Sequence, residues 1–186
     1  MSLKVIFGII LFAAWLSTGY AQSAGKSIDG VVMQPTKTAF DNLSANPNFS
    51  VFINAINTAG LSGTLSSQTP VTVLAANNKA FAKLPVGLLD TLFKPENKTK
   101  LAILVNGHLL AGKITSADIA QRIKNGNGSA RLITLAGTSL TAVIDTNRNI
   151  VLTDGSGNQS VISRFNAVQS NGIVHTVTSV LMPAVL

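Results

Sequence analysis

SNGIVHTVTSVLMP, residues Ser170 to Pro183, is the stretch on which the fold turns. From Ile173 to Leu181 it alternates, with Ile173, His175, Val177, Ser179 and Leu181 on one face and Val174, Thr176, Thr178 and Val180 on the other. Its valines and threonines suit a pleated backbone, so the pattern predicts the longest strand of the chain.

The residues before it share that period. Leu140, Ala142 and Ile144 alternate with Ser139, Thr141 and Val143. Ile150 to Thr153 follows across a hairpin loop at Asp145–Asn149, and Val161 to Phe165 follows a second turn at Asp154–Asn158.

Upstream of Gly128 the period is helical. Phe49, Phe52, Ile53 and Ile56 make one stripe, with Asn48 as the expected N-cap and Gly60 as the terminator. Short helices are expected at Ile28–Gln34, Thr38–Leu43, Leu61–Leu65 and Pro85–Phe93. A longer one follows Pro95 and carries Leu101, Leu104 and Val105. Val71 to Leu74 reads as a short buried strand, and Asn77-Asn78 as the cap of a helical turn through Phe81. Thr115 to Asp118 has the form of a capping box, with Ile119 and Ile123 after it. Helices first and strands second predict an α+β domain.

The chain has 186 residues, 46% hydrophobic and 11% charged, with no cysteine. So few charges on so apolar a chain exclude disorder as its main state. Thiol nucleophiles, thiolate zinc sites and iron–sulfur clusters are excluded outright. Residues 1–21 have the layout of a secretory signal: Lys4, an apolar run from Val5 to Leu16, then small residues up to Ala21. That run is shorter than the roughly 20 apolar residues of a membrane span. A mature domain of residues 22–186, secreted or periplasmic and without stable membrane insertion, is expected. Cleavage removes Lys4, Trp15 and Tyr20 and takes the net charge from +7 to +6. The loss of Trp and Tyr argues against nucleic-acid binding by base stacking. The thirteen remaining cations are scattered, with Lys94 to Lys100 the densest stretch. They favour solubility and, functionally, attraction to an anionic polysaccharide or surface.

Four chemical patterns fail on inspection. Gly107 to Lys113 matches P-loop spacing, but Ile114 stands where the magnesium-binding Ser or Thr belongs. His108 and His175 lie 67 positions apart with no second histidine in metal-ligand spacing. No Gly-x-Ser-x-Gly elbow exists, and the seven carboxylates include a single glutamate. No cofactor, metal or catalytic residue is expected.

Three stretches together resemble the fasciclin domain family. TVLAANNKAF, Thr72 to Phe81, is similar to the family's first motif and leads into Leu84-Pro85. LVNGHLLAGKITSAD, Leu104 to Asp118, is similar to its central segment, and Ser170 to Pro183 to its closing one. The sequence departs at Ala76 and Asn77, at Asn78 where an acid is common, and at Gly107 where a tyrosine usually precedes the histidine. The resemblance implies helices packed on a sandwich or wedge of about seven strands. It marks Thr72, Asn78, Phe81, His108, Asn171, Gly172, His175 and Pro183 as motif positions, mostly structural. Phe81, Leu84, Val180 and Leu181 become core, Asn171-Gly172 a turn, and the two histidines placed polar groups. It also implies an exported bacterial adhesion or binding module for a cell-surface protein, matrix component or anionic polysaccharide. The competing readings are a hydrolase using His108 or His175 with a nearby serine, and a carrier of a small apolar ligand.

Overall fold

The computed structural model describes residues 25–184, so residues 1–21, where a secretory signal is expected, lie outside the described residues. The chain runs β1 (Lys26–Ile28), β2 (Val31–Met33), α1 (Ala39–Ser44), α2 (Ser50–Ala59), α3 (Ser62–Ser66), β3 (Val71–Ala76), α4 (Asn78–Phe81), α5 (Leu88–Leu92), α6 (Lys98–Asn106), β4 (Leu109–Ala111), α7 (Ser116–Asn125), β5 (Ser129–Ile133), β6 (Ser139–Ile144), β7 (Ile150–Thr153), β8 (Gln159–Gln169) and β9 (Gly172–Val177). The order is α+β, as expected.

Seven strands form one sheet in the order β4-β3-β9-β8-β7-β6-β5. Every pairing is antiparallel except β3 with β9, which run parallel from Val71↔Gly172 to Ala76↔Val177. The two outer strands then meet. Leu110 bridges to Thr134, and the Leu135 N–H donates to the Leu109 carbonyl at 2.8 Å. That contact curls the sheet towards a closed wedge and covers edges that would otherwise stand open.

Strands β3 and β9 are buried at every position. Helix α2 packs on α6, α1 packs on α2 and α3, and α7 covers β5 and β6. Phe49, Phe52, Ile56, Leu101, Leu104 and Val105 are buried in the same core as Val73 and Leu74. Burying each such side chain contributes roughly 1.5–3 kcal/mol.

Several expectations are corrected. Residues 28–34 are not a helix but the β1–β2 hairpin. Asp29 (φ 50°) and Gly30 (φ 86°) form its two-residue turn, because an Asp-Gly pair accepts the positive φ that such a turn needs. Asn46, not Asn48, caps the first turn: Pro47–Phe49 is a 3₁₀ turn whose Asn48 N–H donates to Asn46 Oδ1 at 3.1 Å. Helix α5 starts only at Leu88, because Gly87 sits in the left-handed region (φ 79°) and interrupts the turn begun at Pro85. β9 stops at Val177, since its partner β3 ends opposite it at Ala76. β4 and β5 were not foreseen, and β8 runs to Gln169 through two register shifts. The P-loop mimic is largely absorbed by β4, with His108, Leu109 and Leu110 buried, so its backbone is committed to the sheet.

Candidate functional site

The motif residues gather around β3, β9 and the ends of the helices that butt against them, and most are turned inward. Thr72 is fully buried. Its hydroxyl donates to the Gly112 carbonyl at 2.6 Å and accepts the Ile114 N–H at 2.8 Å, tying β3 to the loop after β4. Asn78 is half-buried: its Oδ1 accepts the Val51 N–H at 3.1 Å, while its amide donates to the Pro47 carbonyl and to Ser50 Oγ, both at 3.0 Å. It thus caps α2 from a neighbouring helix. Asn supplies both donors and acceptor there, whereas the acid common at this position would supply acceptors alone. Phe81 is buried with its ring centroid 6.3 Å from that of Phe52.

Asn171 is buried at the β8–β9 corner and uses its whole amide. Its Oδ1 accepts the Ala39 N–H at 2.9 Å, and its Nδ2 donates to the Leu65 and Ser67 carbonyls, both at 2.7 Å. One side chain thereby satisfies the start of α1 and the end of α3. The two-residue corner is Ser170-Asn171, one position earlier than expected, because Gly172 already pairs with Gln169. Gly172 is needed for proximity: a Cβ there would lie 1.9 Å from the Val71 carbonyl oxygen. Pro183 is buried, and its carbonyl accepts the Ser156 hydroxyl at 2.9 Å.

The two imidazoles follow one plan. His108 Nδ1 lies 3.0 Å from the Leu104 carbonyl, to which it donates, and Nε2 accepts the Leu181 N–H at 3.0 Å. His175 Nε2 donates to the Ile114 carbonyl at 2.9 Å, and Nδ1 accepts the Asn166 N–H at 3.3 Å. In each ring the accepting nitrogen requires the neutral tautomer. Burial pulls His108 down to about 4, against a smaller upward pull from the Leu104 carbonyl. Burial likewise lowers His175, against the Ile114 carbonyl. Both rings therefore hold strands and loops together as neutral groups, with no nitrogen left to serve as a general base. Among the described residues no serine hydroxyl bonds to either ring, and no group of three His, Asp or Glu side chains could hold a metal ion.

Two polar anchors escaped the sequence reading. Asp154 is buried; Oδ1 accepts the Ser156 and Asn158 N–H groups, both at 2.9 Å, and Oδ2 accepts the Met182 N–H at 2.7 Å. Its Asp-Gly-Ser-Gly-Asn context predicted a turn, but nothing local announces the contact with Met182. Asn166 adopts φ 55° at a register shift of β8, and its Oδ1 accepts the Ser116 N–H of α7 at 2.8 Å. A left-handed residue inside a strand leaves no mark in a period-2 pattern.

Grooves mark the described surface. One, of about 420 Å³, lies between Lys83–Leu88 and Ser179–Met182 and is lined by Leu84, Leu88 and Met182 among others. A polar one of about 280 Å³ is lined by Asp29, Asn48, Asn77, Asn78 and Lys79.

This geometry, a curled seven-strand sheet locked by inward-facing motif residues, is matched by comparison. The fasciclin domain model matches residues 47–183, and the chain belongs to the fasciclin domain family. It is 32% identical over 146 residues to protein sll1483 of Synechocystis sp., covering 78% of this chain and 73% of that one. It is 28% identical over 185 residues to immunogenic protein MPB70 of Mycobacterium bovis, covering 95% of this chain and 80% of the relative. Transforming growth factor-beta-induced protein ig-h3 of Sus scrofa is 29% identical over 157 residues, 84% of this chain but only 21% of its own length. A solved FAS1 domain pair from the insect cell adhesion molecule Fasciclin I shares the fold, with a TM-score of 0.69 at 17% identity over 87% of this chain and 58% of that chain. Among the described residues no helix is long and apolar enough to cross a membrane.

Proposed function

We propose that this chain is an exported fasciclin-type binding module that contacts a cell-surface or matrix component through its outer surface, with an anionic polymer as the favoured ligand class. The single observation behind this reading is the inward commitment of the motif side chains. His108, His175, Thr72 and Asn171 spend their polar atoms on internal main-chain groups, so the motif residues supply a scaffold and the exterior supplies the contact. Family membership supports adhesion, since one solved relative of the same fold is described as a cell adhesion molecule.

Charge supports the ligand class. Thirteen lysines and arginines stand against seven acids over residues 22–186. The carboxylates of Asp41, Asp118, Asp145 and Asp154 each accept a neighbouring main-chain N–H, while cations lie on exposed positions such as Lys94, Lys98, Lys100, Lys124 and Arg131. The reading implies retention of the domain on immobilised dextran sulfate at low salt and release as salt screens the contact. Passage without retention, or retention that added salt leaves unchanged, contradicts it.

The hydrolase alternative finds no support in the geometry of the two imidazoles. Esterase and glycosidase screens with a double alanine variant at His108 and His175 test it directly.

A further inference from the structure

The groove beside the β1–β2 turn is walled by polar side chains that internal bonds already hold in place. It encloses about 280 Å³ and is lined by Asp29, Asn48, Asn77, Asn78 and Lys79, every one a polar or charged side chain. Three segments meet there: the β1–β2 turn, the 3₁₀ turn at Pro47–Phe49 and the start of α4. The Asn48 amide donates to the Asp29 carbonyl at 3.2 Å and to Asn46 Oδ1 at 3.3 Å. The Asn77 amide donates to Asp29 Oδ2 at 3.3 Å, while Asn77 Oδ1 accepts the Ala80 N–H at 3.0 Å. Asn78 turns its whole amide inward, onto Val51, Pro47 and Ser50.

What these bonds leave over defines the ligand. Asn48 spends both amide protons on them, so its Oδ1 remains as an acceptor. Among the described residues Asp29 Oδ1 is a second open acceptor, since only Oδ2 takes the Asn77 amide. Asn77 keeps one amide proton, and Lys79, an exposed side chain, brings an ammonium. Two acceptors for hydroxyl protons, a neutral donor and a cation thus share one groove. We propose that it binds a uronic acid unit of a polysaccharide. The sugar carboxylate meets Lys79, and the ring hydroxyls donate to Asp29 and Asn48 and accept from Asn77. This rests on the reading of the domain as a binder of anionic polymers and gives that contact a place. Other ligands fit worse. A free sulfate or a phosphodiester has no proton for the two acceptors and meets the Asp29 carboxylate. A bare metal ion meets the Lys79 ammonium and finds the Asn77 and Asn78 oxygens spent on main-chain N–H groups. An apolar ligand would desolvate these groups without pairing them. The volume lies near the lower bound of roughly 300 Å³ for small-molecule pockets, so one ring enters rather than a length of chain.

The test uses the mature domain with trigalacturonate and with the same trimer methyl-esterified at its carboxylates, both at physiological salt. ¹⁵N–¹H spectra follow the side-chain amides of Asn48 and Asn77, and the titration gives affinity. Saturable shifts of both amides are expected, with the acid bound about three- to fivefold tighter than the ester, as one exposed ion pair allows. Lys79→Gln is expected to bring the acid down to the level of the ester and to leave the ester unchanged. Asn48→Ala is expected to weaken both. Lys98→Gln, in the densest run of cations, is expected to change neither. Unmoved Asn48 and Asn77 amides, equal binding of acid and ester to the parent domain, or a Lys98→Gln effect as large as that of Lys79→Gln overturns the proposal. Lys79 and Lys98 are exposed, so their variants keep the test valid if Asn48→Ala fails to fold. Retention on dextran sulfate with unmoved groove amides overturns the groove alone, whereas passage without retention overturns the broader reading.

Discussion

His108 Nε2 accepts the main-chain N–H of Leu181, 73 positions further along the chain, at 3.0 Å. The bond links β4 to the segment after β9, and it exists only while that nitrogen is unprotonated.

Acid should therefore loosen the fold. The unfolded imidazole takes up a proton near 6.5, the folded one only near 4. Between these values the unfolded chain binds more protons, so stability is full above pH 6.5 and declines as pH falls towards about 4. The loss is on the order of 3 kcal/mol from His108, and His175 shifts in the same direction. Urea midpoints measured from pH 7 down to pH 4 should fall, and should fall less in His108→Gln. A flat profile for the parent chain would show that the ring is not held neutral.

Asn171→Ala should be severely destabilising. It removes the acceptor for Ala39 and the donors to Leu65 and Ser67, all in a buried setting. Each orphaned group costs about 1–3 kcal/mol, so a loss of several kcal/mol is expected in chemical denaturation. Asn171→Asp should fare no better, since it places a carboxylate against two carbonyls.

Gly172→Ala tests the close approach of β9 to β3. The new methyl would meet the Val71 carbonyl oxygen at 1.9 Å, and that atom belongs to the backbone and cannot swing away. The parallel pairing must open locally, so a thermal midpoint well below that of the parent, or failure to fold, is expected.

Thr176→Val should stabilise. The Thr176 hydroxyl is buried and, among the described residues, unpaired, so removing it relieves about 1 kcal/mol of desolvation while keeping the branched shape. A higher urea midpoint with an unchanged m value is the expected signature.

Two neighbouring hairpins make a matched experiment. In the β7–β8 turn Gly157 takes the left-handed position at φ 84°, and in the β6–β7 turn Arg148 takes it at φ 63°. Arg148→Gly should relieve roughly 1 kcal/mol of backbone strain, whereas Gly157→Arg should cost a similar amount. Equal effects of the same sign would refute the backbone account.

Much of this molecule was legible in one dimension. The stripe of Phe49, Phe52 and Ile56, the capping box at Thr115 and Asp118, and the alternation from Ser139 onward are local patterns, and local sterics and hydrogen bonding decide them. The β1–β2 hairpin was misread as a helix: its Asp29-Gly30 pair carried the turn signal, but strands of three residues are too short to show an alternation. The motif residues were visible as positions; their hydrogen-bond partners, such as Ala39, Leu65 and Ser67 around Asn171, were not.

The sequence by itself determined most of the helices, the strands from Ser139 onward, the apolar faces and the sparse, cationic exterior, because each follows from neighbours along the chain. Only the tertiary structure decided that Leu110 meets Thr134 to curl the sheet, that Asp154 reaches Met182, and that His108 reaches Leu181. Those outcomes join residues tens of positions apart. They depend on which strand ends first and which loop folds over it, and that competition for hydrogen bonds is settled only when the whole core closes.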